Sequence, residues 1–294
     1  MRILNFGSLN LDYVYHVSEI VKPGQTIDSL KLECFPGGKG LNQTLALARA
    51  AATVYHAGMI GEDGIRLKQL LETDHVDCSY LRTVDRNTGT AFIQVASSGQ
   101  NCIVLDGGAN RMNTTDFCDE VLAHFGEGDI LLLQNEINLI DYLIDRASEK
   151  GMYIVLNPSP FNQNVMECNL NKVSLFVMNE DEGQSITGKA VEEDILSEMR
   201  VHFPNAEVVL TLGAQGVIYQ KGEQILRQGA YLVKAIDTTA AGDTFTGYLL
   251  ASMANKLEIA ECLKLANKAA AIAVTRMGAS SSIPYIKEVL STNL

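Results

Sequence analysis

Ala235-Ile236-Asp237-Thr238-Thr239-Ala240-Ala241-Gly242-Asp243-Thr244-Phe245 is the stretch on which the reading of this chain turns. Small residues run up to a carboxylate, and Phe245, Leu249, Leu250 and Met253 then recur at the spacing of a buried helical face. A helix is therefore expected over residues 243–254, opening at the carboxylate. Helix N-termini expose unpaired N–H groups and carry partial positive charge. Ala241 and Gly242 would let an anion approach those groups closely. Amides that hold a phosphoryl group, beside a carboxylate that orients a hydroxyl, point to phosphoryl transfer. Taken by itself, the segment is more simply a helix start, because Asp is a common residue there. The rest of the chain decides between the two.

Outward from this segment, strands and helices alternate. Strands are expected at 2–7, 54–60, 130–133, 153–156, 175–178, 208–212 and 217–219. Helices are expected just after Gly40 and at 65–72, 139–150, 181–188, 192–202, 258–275 and 284–291. Such alternation predicts an α/β fold, a doubly wound and mainly parallel sheet flanked by helices. Two pieces break the pattern. Residues 11–36 are β-rich, and residues 88–106 read as a hairpin around Ser97-Ser98-Gly99-Gln100. They are expected to pair into a small β-sheet lid, separate from the α/β domain formed by 1–10, 37–87 and 107–294. A lid over a strand-end crevice would exclude water from a reaction.

Polar residues recur at the ends of the expected strands, where open α/β sheets bind ligands. Asn10 and Asp12 follow Gly7-Ser8, Glu136 follows Gln134-Asn135, Asn179 and Glu182 follow 175–178, and Thr211, Gly213 and Gly216 follow 208–210. Any one of them also fits a turn or cap. Such residues at four strand ends of one sheet edge are harder to assign to loop composition. Gly37-Gly38-Lys39-Gly40-Leu41-Asn42-Gln43 gives a tight backbone course into a helix, with Lys39 and Asn42 as donors suited to a sugar. Gly183-Gln184-Ser185-Ile186-Thr187-Gly188-Lys189-Ala190 nearly matches a phosphate-binding loop, but Ala190 lacks the hydroxyl that would ligate Mg²⁺. It reads as a chance match. No strand-linked G-x-G-x-x-G supports a dinucleotide-dependent oxidoreductase.

Bulk properties narrow the classes. The 294 residues carry 23 Lys and Arg against 35 Asp and Glu, a net charge of −12. This acidity disfavours nucleic-acid and anionic-membrane binding. The six cysteines form no Cys-x-x-Cys pair, and their scatter fits a reducing cytoplasm. Asn5, Asn10 and Asp12 interrupt any signal-peptide core, and no apolar run approaches a membrane span.

In this order, the clusters resemble the PfkB-type (ribokinase) family of sugar kinases almost end to end. The resemblance rests on Gly7 to Asp12, Gly37 to Gln43, Leu156-Asn157-Pro158-Ser159-Pro160, Asn179-x-x-Glu182, Thr211-Leu212-Gly213, Asp237 to Phe245, and Ala273 to Ala279. It implies transfer of the ATP γ-phosphate to the primary hydroxyl of a pentose, with D-ribose first. Deoxyribose, a ketohexose or a nucleoside are the alternatives, and a catalytically silent sugar-binding regulator is a further one.

By the same resemblance, Asp243 is the catalytic base and Ala240, Ala241 and Gly242 are the anion hole. Asn10, Asp12, Gly38, Lys39, Asn42 and Glu136 touch the sugar, and Ala91, Ile93 and Leu105 close over it from the lid. Asn179, Thr211, Gly213, Gly216 and Asn267 lie along the nucleotide, and Glu182 belongs to the motif associated with Mg²⁺. A K⁺ site draws on Asp237, Thr239, Ala273, Arg276, Gly278 and Ser282. A homodimer formed through the lid is implied as well. Two positions depart from the wider family. Ala240 replaces a usual Gly, as it does in ribokinases, and Asn267 stands where a His near the adenine is familiar.

Overall fold

The computed structural model describes residues 1–294 and contains two sheets. In chain order the elements begin with β1 (Ile3–Phe6), β2 (Asn10–Val17), β3 (Lys31–Gly37), α1 (Lys39–Arg49), β4 (Val54–Ile60), α2 (Ile65–Thr73) and β5 (Asp77–Thr83). They continue with β6 (Gly89–Ala96), β7 (Asn101–Asp106), α3 (Thr115–Leu122), β8 (Ile130–Gln134), α4 (Ile140–Glu149), β9 (Tyr153–Asn157) and α5 (Asn164–Glu167). Next come β10 (Leu175–Asn179), α6 (Glu180–Thr187), α7 (Glu192–His202), β11 (Glu207–Thr211), β12 (Val217–Lys221) and β13 (Gln224–Gln228). The chain ends with α8 (Ala241–Ala254), α9 (Ile259–Ala273) and α10 (Ile286–Ser291).

The larger sheet has nine strands in the order β13-β12-β11-β10-β9-β8-β1-β4-β5. It is parallel from β11 to β5, and only the β11–β12 and β12–β13 pairs are antiparallel. Strand β8, Ile-Leu-Leu-Leu-Gln, is buried throughout, as a strand covered on both faces must be. Alternate side chains of β1 feed two cores: Ile3 packs with α1, α2, α8 and α9, while Leu4 and Phe6 pack with α3, α4 and α7. After β5 the chain returns across β1 to build β8 onward, so the winding reverses between β1 and β8.

Four-stranded pairing β3-β2-β6-β7 makes the smaller sheet from the two segments that broke the alternation. Its centre is a parallel pair, Asn10↔Gly89 through Val17↔Ala96.

The sequence reading left β5, β13, α3 and the short α5 unassigned. Strands β5 and β13 are the two edges of the large sheet. Only Cys78 and Leu81 of β5 are buried, and no residue of β13 is, so neither shows the two-residue apolar alternation. Helix α8 starts at Ala241, two residues before the expected position, because Ala240 takes a left-handed conformation (φ 59°) that ends the preceding loop.

Helices α1 and α8 pack against each other so closely that a Cβ on Gly247 would lie 2.3 Å from Ala46 Cβ and 2.8 Å from Leu47 N. Gly247 is one turn beyond Asp243, so this contact sets how α8 presents its first turn. Gly247→Ala should cost about 1–3 kcal/mol through overpacking. Urea unfolding with a lowered midpoint and an unchanged slope is the expected result.

Candidate active site

The reversal between β1 and β8 is where a doubly wound sheet opens a crevice beyond its strand ends. Ser8, just past β1, donates its hydroxyl to Glu136 Oε2, just past β8. The same Glu136 oxygen accepts the Lys39 N–H at 2.9 Å, and Leu41 N donates to Ser8 O at 2.9 Å. The Gly37–Gln43 motif is thereby tied to both strands, and α1 starts over the crevice.

Asp243 lies in the first turn of α8 and is buried. Its carboxylate meets α1: Asn42 Nδ2 donates to Oδ2 at 3.0 Å, and Gln43 Nε2 donates to Oδ1 at 2.9 Å. A carboxylate has room for about four donors, so two sites remain for other partners. Ala240 supplies no side-chain cap, and the N–H groups of Gly242 and Asp243 have no partner. A Cβ on Gly242 would meet nothing within 4 Å. The start of α8 is thus an open set of donors facing a cavity of about 210 Å³. Lys39, Asn179, Glu182, Thr211 and Ala240 to Asp243 are among its lining residues.

Lys39 makes no ion pair within 4 Å. Burial works against its charge, but the carboxylates of Asp243, Glu136 and Glu182 outweigh that and hold its pKa above the ordinary lysine value. The cavity therefore keeps a cation beside the helix start.

On the other side of Asp243 lie acceptors without donors. Asp12 Oδ1 and Asn42 Oδ1 are buried and make no hydrogen bond. Burial, reinforced by the charge of Glu136, pushes the Asp12 carboxyl up to about 7. Its other oxygen sits where a Cβ of residue 37 would fall, 1.9 Å away, so only glycine fits at Gly37. The small sheet places Ala91 and Leu105 in the same register line as Asp12, with Ile93 one step further on the same face. Asn10 is engaged from a quarter that the sequence reading missed. Asn110 Nδ2 donates to Asn10 Oδ1 at 2.7 Å, and Asn110 Oδ1 accepts Leu9 N at 3.0 Å. The glycine pair Gly107-Gly108 just before it was the available signal.

Asn179 and Glu182 form a capping box on α6, with Glu182 N donating to Asn179 Oδ1 at 2.8 Å and Asn179 N donating to Glu182 Oε2 at 3.0 Å. Glu182 Oε1 has no hydrogen bond. No group of three or more His, Cys, Asp or Glu side chains is poised to hold a metal. With its Oε1 free, Glu182 could supply one carboxylate oxygen to a metal ion.

Gly213 and Gly216 shape the turn after β11, and neither lines the cavity. Asn267 is also outside it: its amide donates to the Gln228 and Gly229 carbonyls at 3.3 and 3.4 Å, pinning the loop after β13. The near-match to a phosphate loop is helix instead, with Gly188 as the left-handed C-cap of α6.

Asp237 sutures two loops. Its Oδ1 accepts Thr239 N at 2.9 Å and Thr239 Oγ1 at 2.6 Å, while Oδ2 accepts Gly278 N at 2.9 Å. Burial opposes its charge, but these donors hold its pKa below the usual carboxylate value. Ser282 donates its hydroxyl to Ala279 O at 2.8 Å, Arg276 N donates to Ala273 O at 3.1 Å, and the Arg276 side chain pairs with Glu288. Thr238 to Ala240 lead directly from this loop pair into α8.

Comparison with known proteins gives the same picture. The profile described as pfkB family carbohydrate kinase matches residues 2–286. A ribokinase of Haemophilus influenzae is 36% identical over 294 residues, covering 97% of this chain and 95% of that protein. A crystal structure of ribokinase from Cryptococcus neoformans in complex with ADP superposes with a TM-score of 0.86 at 32% identity, over 98% of both chains. The structure of Arabidopsis thaliana ribokinase complexed with ribose and ATP gives 0.86 at 29% identity, over 98% of this chain and 97% of that one. Matched over residues 2–286 and across nearly the full length of these relatives, the chain belongs to the pfkB family of carbohydrate kinases.

Proposed function

We propose that this protein is an ATP-dependent pentose kinase that phosphorylates the primary hydroxyl, with D-ribose as substrate and O5 as acceptor. The observation that carries this reading is the set of buried oxygens around Asp243. Asp12 Oδ1 and Asn42 Oδ1 lack donors. Unsatisfied buried acceptors are costly, and a polyhydroxylated substrate supplies the missing O–H groups. The related Arabidopsis protein is described in complex with ribose and ATP.

In this reading the sugar hydroxyls donate to Asp12 and Asn42, and Glu136 and Lys39 bound the same side. The small sheet covers the sugar through Ala91, Ile93 and Leu105. Asp243 orients the primary hydroxyl and takes its proton late, since an alcohol is too weak an acid to ionise early. The Gly242 and Asp243 N–H groups and the Lys39 ammonium face the phosphoryl oxygens and stabilise charge there. Glu182, through Oε1, would hold Mg²⁺ on the phosphates, and the metal would neutralise their charge. The carbonyls around Asp237 would hold K⁺, which would support the loop leading to Ala240. No helix is long and apolar enough to cross a membrane, and a cytoplasmic setting goes with these substrates.

Every residue of β7 is exposed, including Ile103, Val104 and Leu105, and β7 is the edge of the small sheet. An apolar open edge calls for a cover. We take that cover to be the small sheet of a second copy.

Asp243→Asn should lower kcat by at least about 10³-fold while ribose affinity changes by less than about fivefold. A coupled ADP assay with ribose, deoxyribose, fructose and adenosine checks both this and the substrate. Replacing K⁺ by Na⁺ in that assay should reduce turnover.

Asp12 carries a cost that only the substrate offsets. In the unfolded chain its carboxyl ionises near ~4, and folding raises that to about 7. Its favourable contribution is therefore complete at low pH and is lost as pH rises through about 7. Asp12→Asn should stabilise the ligand-free protein at pH 8 by on the order of 2 kcal/mol, and by less at pH 5. The same variant should bind ribose at least about tenfold more weakly, since a charge-assisted hydrogen bond is lost. Urea unfolding at the two pH values and titration calorimetry measure these effects. Val104→Asp should convert a dimer to a monomer, read by light scattering.

A further inference from the structure

Beside Asp243 lies a run of buried side-chain amides, of which Asn157 alone lines the cavity. Asn5, Gln43 and Gln134 are fully buried and Asn157 nearly so. Gln43 Nε2 donates to Asp243 Oδ1 at 2.9 Å and to Asn157 Oδ1 at 3.1 Å. Gln43 Oε1 accepts from Gln134 Nε2 at 2.7 Å, and Gln134 Nε2 also donates to Asn5 Oδ1 at 3.0 Å.

The direction of this chain is set at both ends by backbone carbonyls, which can only accept. Asn157 Nδ2 donates to Val177 O at 2.8 Å, so its oxygen must face Gln43. Asn5 Nδ2 donates to Gly40 O at 2.9 Å and to Thr44 Oγ1 at 2.7 Å, so its oxygen must face Gln134. The Gln134 amino group therefore points inward, the Gln43 oxygen turns to it, and the Gln43 amino group is left for Asp243. A reversed Gln43 would set its oxygen against those of Asp243 and Asn157, and its amino group against that of Gln134. Gln134 Oε1 is itself buried without a partner. Its amide is thus oriented for the chain, at the expense of its own acceptor.

We infer that Gln43 and Gln134 are positioning residues, which fix the plane of the Asp243 carboxylate through this directional amide chain. The inference rests on the kinase reading above. Asn42 and Gln43 each hold one carboxylate oxygen from α1, and the lone pairs that remain face the cavity. A carboxylate so held keeps its angle to the acceptor hydroxyl, and misplacement there costs rate more than binding.

Gln134 is the position to test, because it touches neither Asp243 nor the cavity. Gln134→Met removes the donor to Gln43. Gln134→Glu goes further: an ionised carboxylate only accepts, and it draws the Gln43 amino group away from Asp243. Once protonated, the same carboxyl can donate to Gln43 Oε1 and restore the direction. The titratable groups around the chain are Lys39, Asp12, His56, Glu136, Glu182 and Asp243. All are present in both variants and cancel in the ratio of their rates.

Full-length wild type and variants are assayed with ribose and ATP from pH 6 to pH 8.5, with ribose affinity measured by calorimetry. At pH 8 Gln134→Glu should lose about 100-fold in kcat and Gln134→Met about tenfold, each with ribose affinity within about threefold of wild type. The deficit of the Glu variant relative to the Met variant should shrink towards pH 6. Equal kcat for the two variants at every pH, or ribose affinity falling in step with kcat, overturns the inference while leaving the kinase reading intact. A wild type that forms no ADP with ribose overturns both. If circular dichroism shows Gln134→Glu unfolded, Gln43→Leu takes its place. Its kcat should fall with ribose affinity kept, and wild-type turnover in it overturns the inference.

Discussion

One carboxylate joins the two halves of this molecule. Asp243 receives hydrogen bonds from residues about 200 positions earlier, and through them the first turn of α8 is locked to the first turn of α1. Around that joint the rest follows. The close α1–α8 approach at Gly247 sets the distance, the strand ends of β1 and β8 anchor α1, and the loop fixed by Asp237 feeds α8 at the required angle. A helix start would attract an anion anywhere. Here it does so beside a carboxylate whose orientation is imposed from outside its own helix, and that combination converts an anion site into one suited to moving a phosphoryl group.

Two kinds of residue build the site, and they differ in how completely the protein satisfies them. The amides of Asn5, Gln43, Gln134 and Asn157 are paired among themselves, with backbone carbonyls as fixed ends and only Gln134 Oε1 left without a partner. The residues on the Asp12 side are left short: Asp12 and Asn42 each keep a buried oxygen without a donor, and burial, reinforced by the charge of Glu136, raises the Asp12 carboxyl to about 7. The site is therefore strained electrostatically on the side of Asp12 and Asn42 and rigid around Asp243. Natural proteins break the rules of stable packing at functional sites and compensate elsewhere.

Much of this was legible in the sequence because it depends on local pattern. The apolar runs of β1, β4, β8, β9 and β10 mark buried parallel strands, and the glycine-rich approach to α1 and the small-residue approach to α8 mark helix starts near ligands. Edge strands were not legible, since β5 and β13 have one or both faces open and lose the apolar alternation. Ala240 gave no sign of its left-handed backbone, because alanine carries no such preference. The amide chain was invisible for a different reason. Asn5, Gln43, Gln134 and Asn157 are scattered along the chain, and each is an ordinary polar residue until the strands bring them together. Asn267 was assigned to the nucleotide by resemblance alone, and nothing in the sequence showed that its amide also pins the loop after β13.

The small sheet has a consequence for how the chain reaches its folded state. Its two hairpins, β2–β3 and β6–β7, can each form from neighbouring residues. Its central pair cannot: Asn10 meets Gly89 in parallel, with α1, β4, α2 and β5 in between. Pairing across such a separation is slow unless the intervening chain is already compact. The two hairpins therefore meet late, once the first half of the large sheet has assembled. Until then the chain carries two separate apolar hairpins, and only a largely folded protein can present the complete four-stranded surface.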